Sequence, residues 1–85
     1  MTLAEEILCY MRVETKNEGY GYEIGSDDIA EKLDEDLGAV VNALMRLWKR
    51  QDVSSPRIGS WFLTSQGFET LRTLDFFGSS KQAGS

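Results

Sequence analysis

Apolar residues recur at helical spacing in four stretches of the chain and alternate with polar ones in between. Leu3, Ile7, Tyr10 and Met11 stand at i, i+4, i+7 and i+8, one stripe of an amphipathic helix. Thr2 with Glu5 three residues on forms a capping box, so this helix starts at Thr2 and is expected to end near Glu14. Asn17, Gly19 and Gly21 mark a loop, after which Tyr20, Tyr22 and Ile24 alternate with Gly21 and Glu23 as in a short strand. Ser26 is placed to cap a second helix from about Asp27 to Leu33, with Ile29, Ala30 and Leu33 on its buried side and Asp27 and Asp28 in its first turn. After a turn at Asp34-Glu35, Asp36 caps a third helix carrying Leu37, Val40, Val41, Leu44, Leu47 and Trp48 on one face, the strongest periodic signal in the chain.

Gln51-Asp52 breaks that pattern and Val53 opens a strand. The run Ser54-Ser55-Pro56-Arg57-Ile58-Gly59-Ser60 is dense in turn formers, and Trp61-Phe62-Leu63 closes a hairpin. Thr64 or Ser65 then caps a last helix from about Gln66 to Leu74, with Phe68, Leu71 and either Leu74 or Asp75-Phe76 at its inner side. The expected architecture is α+β, with a three-helix core, a small antiparallel hairpin and a C-terminal helix over residues 1–77. Residues 78–85 are expected to be a flexible Gly- and Ser-rich tail.

Composition narrows the function classes. The 85 residues suit one small domain that has few apolar residues to spare. Cys9 is the only cysteine and histidine is absent, so neither an intrachain disulfide nor the usual zinc ligand sets can form, and a cytoplasmic setting is expected. An acidic start and the lack of a long apolar run argue against secretion and membrane insertion. Gly19 to Gly25 lacks the spacing of a dinucleotide fingerprint, and Asp34-Glu35-Asp36 lacks the ligand pattern of a calcium loop. Cys9, with no histidine to activate it, reads as a small apolar residue. No catalytic constellation emerges, so the expectation is a non-enzymatic protein without cofactor or metal.

The order from Ser26 to Leu74 resembles the winged helix-turn-helix superfamily, in the manner of small transcriptional regulators of the MarR, ArsR and PadR kind. The resemblance rests on Ile29-Ala30-Glu31-Lys32-Leu33, on Val40, Leu44 and Leu47, and on Leu63-Thr64-Ser65-Gln66-Gly67 at the entry to the last helix. Where the family tends to show Gly-Leu-Val after the third helix, this chain has Gln51-Asp52-Val53. The resemblance implies double-stranded DNA as partner, with the third helix in the major groove and the hairpin as a wing on the backbone.

On helix geometry, a stripe centred near Val40 and Leu44 puts Ala39, Asn42, Arg46 and Lys49 on the opposite face, with Arg50 beside them. Asn42 and Arg46 are then candidates for base readout, and Lys49, Arg50 and the wing residue Arg57 for phosphate contacts. A charged face opposite an apolar stripe is also what any solvated helix shows. Nine basic against fourteen acidic residues, a net charge of -5, run against DNA binding. Asp34, Glu35 and Asp36 sit at the helix end that would enter the groove. The alternative is therefore an acidic winged helix that binds protein rather than DNA. Trp48 and Trp61 read as core residues, and Phe76 with Phe77 as a surface for a homodimer or partner, or as residues folded back on the first helix.

Overall fold

A computed structural model describes residues 2–73. Their order is α1 (Leu3–Glu18), β1 (Ile24–Gly25), α2 (Ser26–Leu33), α3 (Leu37–Lys49), β2 (Val53–Arg57) and β3 (Ser60–Leu63), followed by helical residues 65–73, here α4. The architecture is α+β, with helices packed on a three-stranded antiparallel sheet of order β1-β3-β2. Ile7, Leu8 and Met11 of α1, Ile29 of α2, Val40, Leu44 and Leu47 of α3, Val53 and Leu63 of the hairpin and Leu71 of α4 form one core. Every element places at least one side chain in it, as so small a domain requires.

The capping box of α1 is present in full. Thr2 N–H donates to Glu5 Oε1 at 2.8 Å and Glu5 N–H to Thr2 Oγ1 at 3.2 Å. The backbone and hydroxyl donors of Thr2 hold the Glu5 carboxyl below its ordinary pKa. The helix runs past the expected end at Glu14, because Thr15 adds a further residue to its buried face. Its hydroxyl donates to the Met11 carbonyl at 2.7 Å, which satisfies a polar group that is 3% exposed. Gly19, at φ 111°, stops the helix.

Two local expectations at the next elements need correction. The strand is confined to Ile24–Gly25, where Ile24 pairs with Trp61 and Gly25 with Ser60. Tyr20 and Tyr22 lie outside it and are exposed, since Gly19 and Gly21 both take positive φ and break extended geometry. Ser26 is the first residue of α2 rather than its cap. Gly25 occupies the cap position without a side-chain bond, while Ser26 is buried and its N–H donates to the Gly59 carbonyl at the hairpin turn.

The hairpin is tighter than the run of turn formers suggests. β2 continues through Ser54, Ser55 and Pro56, and only Ile58-Gly59 turns, with Gly59 at φ 83°. Proline is tolerated because β2 is an edge strand, and the register slips by one residue between Ser54↔Phe62 and Arg57↔Ser60. The Ser55 hydroxyl spans that irregularity with 2.8 Å contacts to the carbonyls of Arg57 and Ser60.

The junction after α3 is formed by Gln51 and Asp52. Gln51 takes φ 67°, the left-handed conformation that glycine adopts most easily. Asp52, 1% exposed, accepts a hydrogen bond from Thr70 Oγ1 on α4 at 2.8 Å. Thr64 N–H and hydroxyl both donate to the Asp52 carbonyl, and Thr64 Oγ1 accepts from Gly67 N–H at 3.1 Å as the cap of α4. A Cβ at Gly67 would collide with the Asp52 carbonyl oxygen and Leu63 Cδ1, so the last residue of the Leu-Thr-x-x-Gly run is small for a packing reason.

Candidate interaction face of the third helix and hairpin

The third helix forms as its sequence implies. Asp36 Oδ2 accepts from Ala39 N–H at 3.1 Å, and Asp34 at φ 54° closes α2 so that the chain can turn into α3. Its rotation differs from the expected one. Val40, Ala43, Leu44 and Leu47 are the buried residues, which moves the core-facing direction by about 30° from a stripe centred on Val40 and Leu44.

That rotation redistributes the candidate residues. Ala39, partly buried, turns toward the start of α1, where it joins Asn42, Arg46 and Arg50 in a groove of about 550 Å3 walled by Thr2, Leu3 and Ala4. Lys49 lies by a separate depression with Trp48, Gln51 and Ser54. Arg57 lies across a third, between α3 and the hairpin. The six residues proposed for DNA contact therefore divide among three depressions.

Two of the six are also engaged. Arg50 Nη2 stands 3.2 Å from Asp52 Oδ2, an ion pair without good hydrogen-bond geometry, in which the carboxylate is buried and the guanidinium is half exposed. Arg57 Nε lies 3.1 Å from Glu23 Oε1, an exposed pair of small energetic value that still neutralises the hairpin cation locally. Among the described residues, Arg46 and Lys49 are the cations of α3 that have no such partner. Asn42 is exposed beside them.

What the rotation turns outward is apolar. Leu37 and Met45 are 48% exposed, Trp48 is 47% exposed and Val41 is partly covered. The expectation that Leu37 and Trp48 belong to the core is thus corrected. Trp48 instead rests edge-on against the buried Trp61, with ring centroids 5.6 Å apart and planes at 88°. Across from α3, Ile58 at the hairpin turn is fully exposed. Val41, Met45 and Trp48 on one side and Ser55, Ile58 and Gly59 on the other enclose an open groove of about 520 Å3. Trp61 also lines it, and the Trp61 indole N–H is buried without a partner.

Sequence reasoning missed Met45, Val41 and Ile58 as candidates. A signal was present in α3: from Ala43 through Leu44, Leu37, Trp48 and Val41 to Met45 its apolar residues sweep roughly 200° of the helix, about twice a single buried stripe. Phe76 and Phe77, the other proposed partner surface, lie outside the described residues. No group of three or more metal-ligating side chains occurs among the described residues, and no helix there is long and apolar enough to cross a membrane. No protein-family model, curated protein or solved structure matches this chain, so its function has to be argued from its own surface.

Proposed function

We propose that this chain is a small winged helix-turn-helix domain acting as a protein-interaction module, with the α3–hairpin groove as its binding face. The carrying observation is the flank of α3 that borders the hairpin. Beside the hairpin α3 offers Leu37, Val41, Met45 and Trp48, and a fully exposed Ile58 stands across from them. Phosphate contacts need cations and base edges need hydrogen-bonding side chains, and this lining supplies only Arg57, which Glu23 pairs, and the serines Ser26 and Ser55. Burying Met45, Trp48 and Ile58 against a partner removes apolar surface from water at about 25 cal/mol per Å2, the dominant favourable contribution in protein association. The net charge of -5 acts in the same direction by repelling a polyanion.

A second reading, DNA binding through α3, is favoured by Arg46 and Lys49, which are free of ion pairs among the described residues, and by the exposed Asn42 next to them. An amide NMR titration with a mixed-sequence duplex at low salt separates the two. On the protein-interaction reading, residues 39–50 and 57–59 show no shifts even where non-specific binding is strongest. Salt-sensitive shifts there, lost on charge reversal of Arg46 and Lys49, would overturn it in favour of DNA.

A further inference from the structure

We infer that the occupant of the α3–hairpin groove is a short amphipathic helix of a partner protein, with apolar anchors flanked by Lys or Arg. The inference rests on the protein-interaction reading and adds the chemistry of the partner. Three observations select this occupant.

The groove itself is neutral and apolar. Arg57 is its one charged lining residue, and Glu23 meets it at 3.1 Å. Its volume, about 520 Å3, falls within the usual range of ligand-sized pockets and accommodates a few side chains rather than a whole domain face. Met45, unbranched and polarizable, can adapt to anchors of different shape, as methionines do in helix-binding grooves. Val41 to Trp48 cover two turns of α3, or about 10 Å, which matches anchors at i, i+3 or i+4, and i+7 of a facing helix.

Carboxylates neighbour the end of the groove at the hairpin turn in the sequence of α2. Ser26 lines that end and is tied by its N–H to Gly59, and the exposed Asp27 and Asp28 follow Ser26 directly in α2. No lysine or arginine other than the paired Arg57 lies in this lining. Cations next to the partner's anchors are complementary to that rim and would raise the association rate. A second copy of this chain would bring another net charge of -5 to the same rim, which disfavours self-association through it.

The mode of docking is set by the hairpin. Strand addition would use the free edge of β2, but Pro56 removes a donor there and the register slip distorts the strand. Side-chain anchoring of a helix does not depend on that edge.

Selection from a random 15-residue peptide library displayed on phage tests this, with the wild-type chain as bait and the double variant Met45→Gln, Ile58→Gln as counter-bait. Both proteins are first shown by amide NMR spectra to share one fold. The expected result is a set of peptides with apolar residues at helical spacing and Lys or Arg beside them, captured at least tenfold less by the double variant. Their affinity should fall several-fold with rising salt or on Asp27→Asn and Asp28→Asn together. Peptides that depend on the groove but carry acid, or no net charge, would overturn the assigned partner while leaving the protein-interaction reading intact. Equal capture by bait and counter-bait, or no enrichment at all, would overturn both. Dimerisation that is lost in the double variant would assign the groove to a second copy and likewise overturn the inference.

Discussion

Two faces of one helix carry similar side chains under different constraints. Val40, Ala43, Leu44 and Leu47 of α3 are 7% exposed or less, while Leu37, Met45 and Trp48 stand 47 to 48% exposed. The inner face is accounted for by folding: it is most of what the helix contributes to the core. The outer face is not needed for that, since a helix packs on one stripe and gains nothing in stability from a second stripe in water. The difference teaches that apolarity alone does not identify a core. A helix whose apolar arc is wider than its packing partners can cover has surface left over, and that surplus is concentrated where the hairpin makes a second wall.

The largest effect expected from breaking this comparison is on the inner face. Leu44→Ala removes a side chain that is 0% exposed and is predicted to cost about 2–5 kcal/mol in urea or thermal denaturation. In a domain of this size that is a large fraction of the total stability, so the variant should be partly unfolded at room temperature. A loss below about 1 kcal/mol would show that the core collapses around the site and that α3 is less fixed than the buried pattern indicates.

Next in size is the junction that holds the end of α3 against α4. Gly67→Ala drives a Cβ into the Asp52 carbonyl oxygen and Leu63, with a predicted cost of about 1–3 kcal/mol. Ser65→Ala, two residues away on the exposed start of α4, is the control and should change stability by less than about 0.5 kcal/mol. Equal effects of the two would mean that backbone shifts at 67 relieve the collision freely.

These sites show which parts of the molecule were legible in the sequence. Three of the four caps were readable because their chemistry is local: Thr2 with Glu5, Asp36 and Thr64 each need only a donor three residues away, whereas Ser26, read as the fourth, is the buried first residue of α2. The α+β order followed from periodicity and punctuation. Two things did not. The rotation of α3 depends on which of two apolar flanks the neighbouring helices and sheet cover, a tertiary choice that a periodic pattern of nine apolar residues leaves open. The engagement of Arg50 with Asp52 and of Arg57 with Glu23 depends on pairings across the fold, so a basic face drawn on a helical wheel overstated the charge available to a ligand.

A smaller effect tests the left-handed residue after α3. Gln51 holds φ 67°, which costs an L-residue about 1–2 kcal/mol relative to glycine, while glycine loses more entropy on folding. Gln51→Gly is therefore predicted to stabilise the domain by about 0.5–1 kcal/mol, read as a higher urea midpoint with an unchanged slope. Gly21, whose Cβ would meet nothing, offers the converse. Gly21→Ala should destabilise through its φ of 82° alone, and a neutral result there would mean that the loop relaxes to negative φ.

The smallest expected change in stability is the most direct test of the two faces. Met45 is adjacent to Leu44 in sequence and differs from it by about 100° around the helix, enough to move it from 0% to 48% exposure. Met45→Gln exchanges one good helix former for another of similar length, so propensity changes little, and about half of the apolar surface it replaces already faces water. The urea midpoint should move by less than about 0.5 kcal/mol equivalent, against several for Leu44→Ala. Trp48 fluorescence gives a second readout, because the Trp48 ring borders the same groove and should report a changed surface without a changed fold. If Met45→Gln destabilised as strongly as Leu44→Ala, the outer face would be part of the core after all, covered by something within the chain, and the groove between α3 and the hairpin would no longer be available to a partner.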